Sequence, residues 1–181
     1  ELDLFTQTLS NLKHTIGYEP ALLAITGTNG KTTVTALTGQ LVERAGRSVV
    51  VAGNIGPTLL DTLQAHLVAE TLPEVWVLEL SSFQLDGVAG FEPAAATVLN
   101  ITQDHLDWHG DMAAYAAAKA RIFGEHGVMV LNRDDAAVMA MRPAPPAKVP
   151  TGTPKPEPRT VLTFGADLPT EPGACGIDLG G

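Results

Sequence analysis

Three stretches carry residues whose types and spacing could do chemistry. The first, ITGTNGKTTVTAL at residues 25–37, runs an apolar segment into Gly27-Thr28-Asn29-Gly30-Lys31-Thr32-Thr33 and then into a helix-like run. Gly27 and Gly30 let the backbone turn tightly and approach a ligand with no Cβ in the way. A helix starting at Lys31 aims its unpaired N–H groups and positive dipole end at the same point. Lys31 is then placed for the terminal phosphates of a nucleotide, and the Thr32 hydroxyl for Mg²⁺. The general phosphate loop has four residues between its glycines, whereas this one has two, Thr28 and Asn29. The stretch predicts a phosphate site and leaves hydrolysis, transfer and ligation open.

The second stretch, VWVLELSSFQL, ends an apolar run on Glu79. A carboxylate there is costly to bury unpaired, and a metal ion or other cation would explain it. Mg²⁺ takes a few carboxylates together with phosphate and water oxygens, so Glu79 with Thr32 suits a nucleotide-bound ion. The third stretch, NITQDHLDWHGD, packs Asn100, Asp104, His105, Asp107 and His109 into a dozen residues. Such a density of His and Asp binds a metal, orients a substrate, or caps a polar loop. Beyond it, MAAYAAAKARIF carries Lys119 on an alanine-rich helix, where composition alone predicts a solvated side chain.

Elements of a particular kind must hold these residues. Apolar runs of strand length fall at Leu22–Thr26, Ser48–Ala52, Val75–Leu80, Ala95–Asn100, Val128–Leu131 and Thr160–Phe164, with helical patterns at Lys31–Ala45, Pro57–Glu70, Asp111–Phe123 and Asp134–Met141. Short strands that are apolar throughout and alternate with helices predict an α/β fold, doubly wound on a mostly parallel sheet. Ligands of such sheets bind beyond the carboxyl ends of the strands. The residues named above follow four such ends: 27–33, 53–56, 79–84 and 100–107. Residues 1–142 read as the core of one domain and 143–158, with seven of the chain's 13 prolines, as an extended loop. Residues 159–181 read as one or two edge strands and a tail of the same domain, and the abrupt ends predict an excised piece of a longer protein.

Composition narrows the partners. The chain has 181 residues, is 45% hydrophobic and 17% charged, and carries a formal net charge of −9. That balance argues against a broad nucleic-acid or anionic-membrane surface. An anionic ligand would need a helix N-terminus, one placed lysine or a bridging metal. A single cysteine, Cys175, favours a reducing compartment, and with no apolar run of membrane-spanning length the expectation is a cytoplasmic protein.

Taken in order, GTNGKTT, GNIG, LELSSFQL and NITQDHLDWHG…AAKARIF resemble the ATP-dependent Mur ligases of bacterial peptidoglycan synthesis, enzymes of cell-wall biogenesis, shape and division. The resemblance covers nearly all of the chain up to about Asp135. ELSSFQL after GNIG is similar to the branch that adds D-glutamate to UDP-N-acetylmuramoyl-L-alanine. DHLDWHGDM is also close to the sibling that adds diaminopimelate or lysine, which usually has Ser-Ser-His where this chain has Ser81-Ser82-Phe83. The resemblance implies that Gly27, Thr28, Asn29, Gly30, Lys31, Thr32 and Thr33 bind the phosphates of ATP. It implies that Thr32 and Glu79 serve a first Mg²⁺, and that His105 and a carbamylated Lys119 hold a second. Asn54, Ser81, Ser82 and Gln84 would line the approach of the UDP-sugar substrate, and Lys31, His105 and Lys119 would be catalytic.

The implied reaction is a ligation through an acyl phosphate that forms ADP. Mur ligases have three domains and this chain resembles the central one, so the expectation is that the polypeptide alone lacks turnover. Competing readings are a P-loop ATPase or GTPase module, or a nucleotide-binding scaffold. A GTPase would carry Asn-Lys-x-Asp after a later strand, and Leu131–Asp135, LNRDD, only echoes it.

Overall fold

The computed structural model describes residues 1–144 and 158–177. Nearly all of the proline-rich loop expected at 143–158 therefore lies outside the described residues, as do residues 178–181 of the expected tail.

The first element, α1 (Leu2–Ile16), has no counterpart among the sequence expectations. Leu2, Phe5 and Leu9 recur at helical spacing and are buried. Gly17 ends the helix at φ 71°, with its N–H on the Lys13 carbonyl. There follow β1 (Ala21–Thr26), α2 (Lys31–Arg44), β2 (Val49–Gly53), α3 (Leu59–Val68), β3 (Val75–Glu79), α4 (Ser82–Leu85) and β4 (Ala95–Val98). The chain continues through α5 (Leu106–His109), α6 (Met112–Ala120), β5 (Val128–Asn132), α7 (Ala136–Met139), β6 (Val161–Phe164) and β7 (Ala174–Cys175). Several elements are shorter than expected, α3, α6, α7 and β4 most clearly. Asp135 caps α7 by accepting from the Ala137 and Val138 amides, so that helix starts after Asp134. β4 stops at Val98, and Asn100 turns to the phosphate loop instead.

The strands form one sheet in the order β2-β3-β1-β4-β5-β6-β7, and every pairing is parallel. Helices cover both faces, as the buried strand patterns require. On one face Leu2, Phe5, Leu59, Leu63, Tyr115 and Ile122, from α1, α3, α6 and the turn after it, pack on the sheet. On the other, Val34 and Val42 of α2 pack on Ile25, Val77 and Leu99. Beside α2 that second face carries an open apolar groove of about 470 Å³, lined by Leu23, Ile25, Val34, Thr97, Val130 and Phe164 among others. It is larger than either pocket at the strand ends, yet it offers almost no polar group to a ligand.

Gly53 ends β2, an edge strand of the sheet. It sits at φ 134°, and a Cβ there would lie 2.1 Å from the Glu79 carbonyl oxygen. That close approach brings the Asn54 N–H to 2.8 Å from the same oxygen. Gly53→Ala is therefore expected to destabilise the chain by roughly 3 kcal/mol or more, since backbone must move to admit the methyl group. Urea denaturation checks this, and a loss below about 1 kcal/mol would show that the contact yields.

Candidate active site

The four polar strand ends belong to β2, β3, β1 and β4, which are neighbours in the sheet. Their loops therefore meet along one stretch of its carboxyl edge, where doubly wound folds bind ligands.

The loop after β1 enters α2 through Gly30, whose φ of 82° favours glycine. No side chain caps this helix, so its first amides face the space above the loop. Thr28, Asn29, Gly30, Lys31, Thr32 and Thr33 line a pocket of about 310 Å³, completed by Asn54, Ile55 and Glu79. Six of the seven loop positions expected to hold phosphate thus line one pocket, and Gly27 does not line it. The Lys31 ammonium is folded back on the carbonyl oxygens of Gly27 and Thr28, 3.0 Å from each.

A second pocket of about 260 Å³ adjoins the first. Its lining includes Ser81, Ser82, Phe83, His105, Tyr115 and Lys119, and it shares Lys31 and Asn54 with its neighbour. Lys119 is not the solvated residue that composition predicts. It is 2% exposed, because α6 packs its inward face directly against the end of β1. Its ammonium donates to Thr26 Oγ1 at 3.2 Å and to the Gly27 carbonyl at 3.0 Å. It also lies 4.8 Å from the centre of the Tyr115 ring. Two lysines thus converge on one carbonyl oxygen. Burial first, and the Lys31 charge second, lower the Lys119 pKa to about 8, against an opposing pull from Asp104.

Glu79 closes β3 at 2% exposure, and its Oε1 accepts from Asn54 Nδ2 at 3.2 Å. A carboxylate so buried with one amide partner fits a cation, and Thr32 lines the same pocket. No group of three or more His, Cys, Asp or Glu among the described residues is arranged to hold a metal. An ion at Glu79 would therefore lean on phosphate oxygens. Asp104, His105 and Lys119 line one pocket, and the Lys119 ammonium as it stands is no metal ligand.

His105 adopts φ 52°, a left-handed conformation that non-glycine residues hold only when their surroundings require it. Its N–H donates to Asp104 Oδ1 at 3.0 Å, and its ring lies 4.8 Å from that of Phe83. His109 reaches Ser82 Oγ at 3.0 Å and so faces inward rather than serving only the surface. Ser81 and Ser82 line the second pocket, whereas Gln84 lines neither. Gln84 Oε1 accepts from the Ser81 N–H and hydroxyl while the Gln84 N–H donates to Ser81 Oγ, a capping box that starts α4.

Four residues at the site were not singled out from sequence for these contacts: Thr26, Tyr115 and Asn100, and Asp104 as the partner of His105. Tyr115 lies within hydrogen-bonding distance of Thr28 Oγ1, at 3.2 Å, and burial raises its pKa. Its spacing of four from Lys119 placed both on one helical face, which was the available signal.

The family model described as Mur ligase middle domain matches residues 25–158. Over 178 residues the chain is 67% identical to UDP-N-acetylmuramoylalanine--D-glutamate ligase of Albidiferax ferrireducens, covering 98% of this chain and 35% of that protein. It is 58% identical over 180 residues to the ligase of the same name from Cupriavidus pinatubonensis, covering 98% and 33%. A solved UDP-N-acetylmuramoyl-L-alanyl-D-glutamate--2,6-diaminopimelate ligase superposes with a TM-score of 0.68 at 28% identity, covering 92% of this chain and 36% of that one. The chain spans about a third of the length of the curated relatives it matches.

Proposed function

The chain belongs to the Mur ligase family through its middle domain, and on that premise we propose that it is the ATP-binding, acyl-activating part of a ligase joining D-glutamate to UDP-N-acetylmuramoyl-L-alanine. The observation that carries this reading is the pair of adjoining pockets with Lys31 and Asn54 as their common wall. One pocket is built for polyphosphate. The other presents hydroxyls, an imidazole and a buried amine to a second substrate. The wall between them is where a phosphoryl group would cross.

In the first step the carboxylate of the substrate's alanine attacks the γ-phosphorus of ATP. A carboxylate O–P bond forms, the bond to the bridging oxygen breaks, and ADP leaves with the electron pair. In the second step the D-glutamate amine attacks the acyl carbon and expels phosphate, and the new amide nitrogen gives up its proton. Lys31 leaves the Gly27 and Thr28 carbonyls for the phosphate oxygens and offsets the charge that builds as one anion attacks another. The α2 amides hold the transferred group in line. Asn54 donates to Glu79 and steadies the carboxylate that would hold Mg²⁺ with Thr32. When bound, that ion supplies charge neutralisation along the phosphates.

A pKa near 8 supports carbamylation of Lys119, because the neutral amine is the form that attacks CO₂. The product is a carboxylate suited, with His105, to a second Mg²⁺. Ser81, Ser82 and Asn54 would meet the sugar-peptide substrate, with Gln84 acting through Ser81. The names of the curated relatives, and Phe83 where the diaminopimelate-adding sibling has His, favour D-glutamate. No described helix is long and apolar enough to cross a membrane, and a reaction that consumes ATP and a nucleotide-sugar belongs in the cytoplasm.

The test is ADP formation by the full-length ligase supplied with UDP-N-acetylmuramoyl-L-alanine and, in turn, D-glutamate, L-lysine and meso-diaminopimelate. Turnover is expected with D-glutamate alone, while the isolated 181-residue chain binds Mg-nucleotide without turning over. Preference for either diamino acid would move the chain to the sibling branch. ADP formation indifferent to the amino acid would overturn the ligase reading altogether.

A further inference from the structure

We propose that Asn100 is a positioning residue that clamps the phosphate loop, supplying from a neighbouring strand the support a longer loop draws from its own residues. This rests on the phosphate-site reading above. Between Gly27 and Gly30 stand only Thr28 and Asn29, and no described backbone hydrogen bond closes within that span. Asn100, just past β4, reaches both. Its Oδ1 accepts from the Thr28 N–H at 3.1 Å and the Asn29 N–H at 2.8 Å, and its Nδ2 donates to the Asn29 carbonyl at 3.0 Å. Its own backbone carbonyl accepts from the Thr28 N–H at 3.0 Å.

A short carboxamide is what this geometry needs, because it presents an acceptor with two lone pairs beside a donor. Aspartate keeps the acceptor, loses the donor and adds a charge. The Thr28 side chain ties down the other side, accepting from the Thr102 N–H at 3.0 Å and lying 3.2 Å from the Tyr115 hydroxyl.

The clamp decides which amides meet the ligand. The Thr28 and Asn29 N–H groups are committed to Asn100, so phosphate is left to the amides that open α2 and to Lys31. Asn100 itself lines neither pocket. It fixes the loop's height and tilt, so that binding does not have to order the loop first.

The experiment uses the 181-residue chain, a fluorescent ATP analogue with Mg²⁺, and amide hydrogen exchange read without nucleotide. Asn100→Ala is expected to weaken nucleotide affinity by about tenfold or more. Exchange at Thr28 and Asn29 should quicken while the rest of the chain and its melting temperature change little, a pattern that general loss of structure would not give. Asn100→Asp should keep both amides protected and still bind nucleotide about tenfold more weakly, recovering in part as salt screens the added charge. It carries the test if the alanine variant does not fold. Either variant binding within twofold of a wild-type chain that does bind would overturn the clamp, as would unchanged exchange at Asn29 in Asn100→Ala. A wild-type chain that binds no nucleotide would overturn the phosphate-site reading, and with it the purpose of the clamp.

Discussion

Lys31→Ala is expected to lower the rate of ligation by roughly 10² to 10³-fold in the full-length enzyme, the scale set by removing one preorganised charge-stabilising donor. Among the described residues Lys31 is the one cation that lines both pockets, which on the proposed reading lets it follow the phosphoryl group from donor to acceptor. The loss should fall mainly on kcat, since charge builds in the transition state more than in the bound ground state. Lys31→Arg should not restore the rate, because a planar guanidinium cannot take the place of a compact ammonium between two carbonyls 3.0 Å away. A second readout needs no turnover. Lys31 is the second cause of the depressed Lys119 pKa, so its removal should raise that pKa from about 8 toward the ordinary lysine value. The pH dependence of Lys119 labelling by an amine-reactive reagent measures it. A rate within tenfold of wild type, or an unmoved Lys119, would remove Lys31 from the centre of the site.

Lys119→Met should have opposite effects on stability and on function. In the folded chain the Lys119 pKa is lowered to about 8 from 10.5. The unfolded chain therefore binds the proton more tightly, and the buried ammonium costs stability in full below about pH 8. That cost fades as pH rises through the two values and is gone above about pH 10.5. Methionine keeps the bulk of the side chain without the charge. At neutral pH the variant should gain on the order of 2 kcal/mol, part of the relief being offset by the lost hydrogen bonds to Thr26 and Gly27. For a chain of this size that is a rise of about 4–8 °C in melting temperature. Ligase activity should be lost in the full-length enzyme, because neither an amine nor its carbamate remains. A variant no more stable than wild type at pH 7 would mean that the buried ammonium is better solvated than its surroundings suggest. An active variant would end the case for a metal ligand at this position.

How much of this was legible in the sequence depended on how far apart the cooperating residues lie. The phosphate loop could be read because its parts are consecutive: a buried strand, two glycines, and a lysine and threonine opening a helix. Glu79 could be read because a carboxylate ending VWVLEL has no cheap burial. The α/β class followed from apolar runs alternating with helices. α1 was overlooked because it opens on Glu1 without a side-chain cap, although Leu2, Phe5 and Leu9 kept helical spacing. Lys119 could not be placed by composition, since its burial comes from contacts with Thr26 and Gly27, more than ninety residues away. The clamp by Asn100 spans some seventy residues, and no local pattern announces it. Gln84 came in as a substrate residue through the family resemblance alone, and its side-chain oxygen closes the capping box that starts α4.

The all-parallel sheet also governs the order in which the site comes into being. β1 is made early, yet its partners β3 and β4 bring Ala21 beside Val75 and Leu23 beside Ala95. Parallel neighbours cannot close through a tight turn, so each of these pairings waits for a crossover and pays its loop entropy first. During synthesis the loop at residues 27–33 exists long before Asn100 has emerged to hold it, and before Lys119 can settle over Gly27. The two adjoining pockets are therefore completed late and together, when the central strands zip. A nascent chain has the sequence of a phosphate loop for much of its growth without having the shape of one.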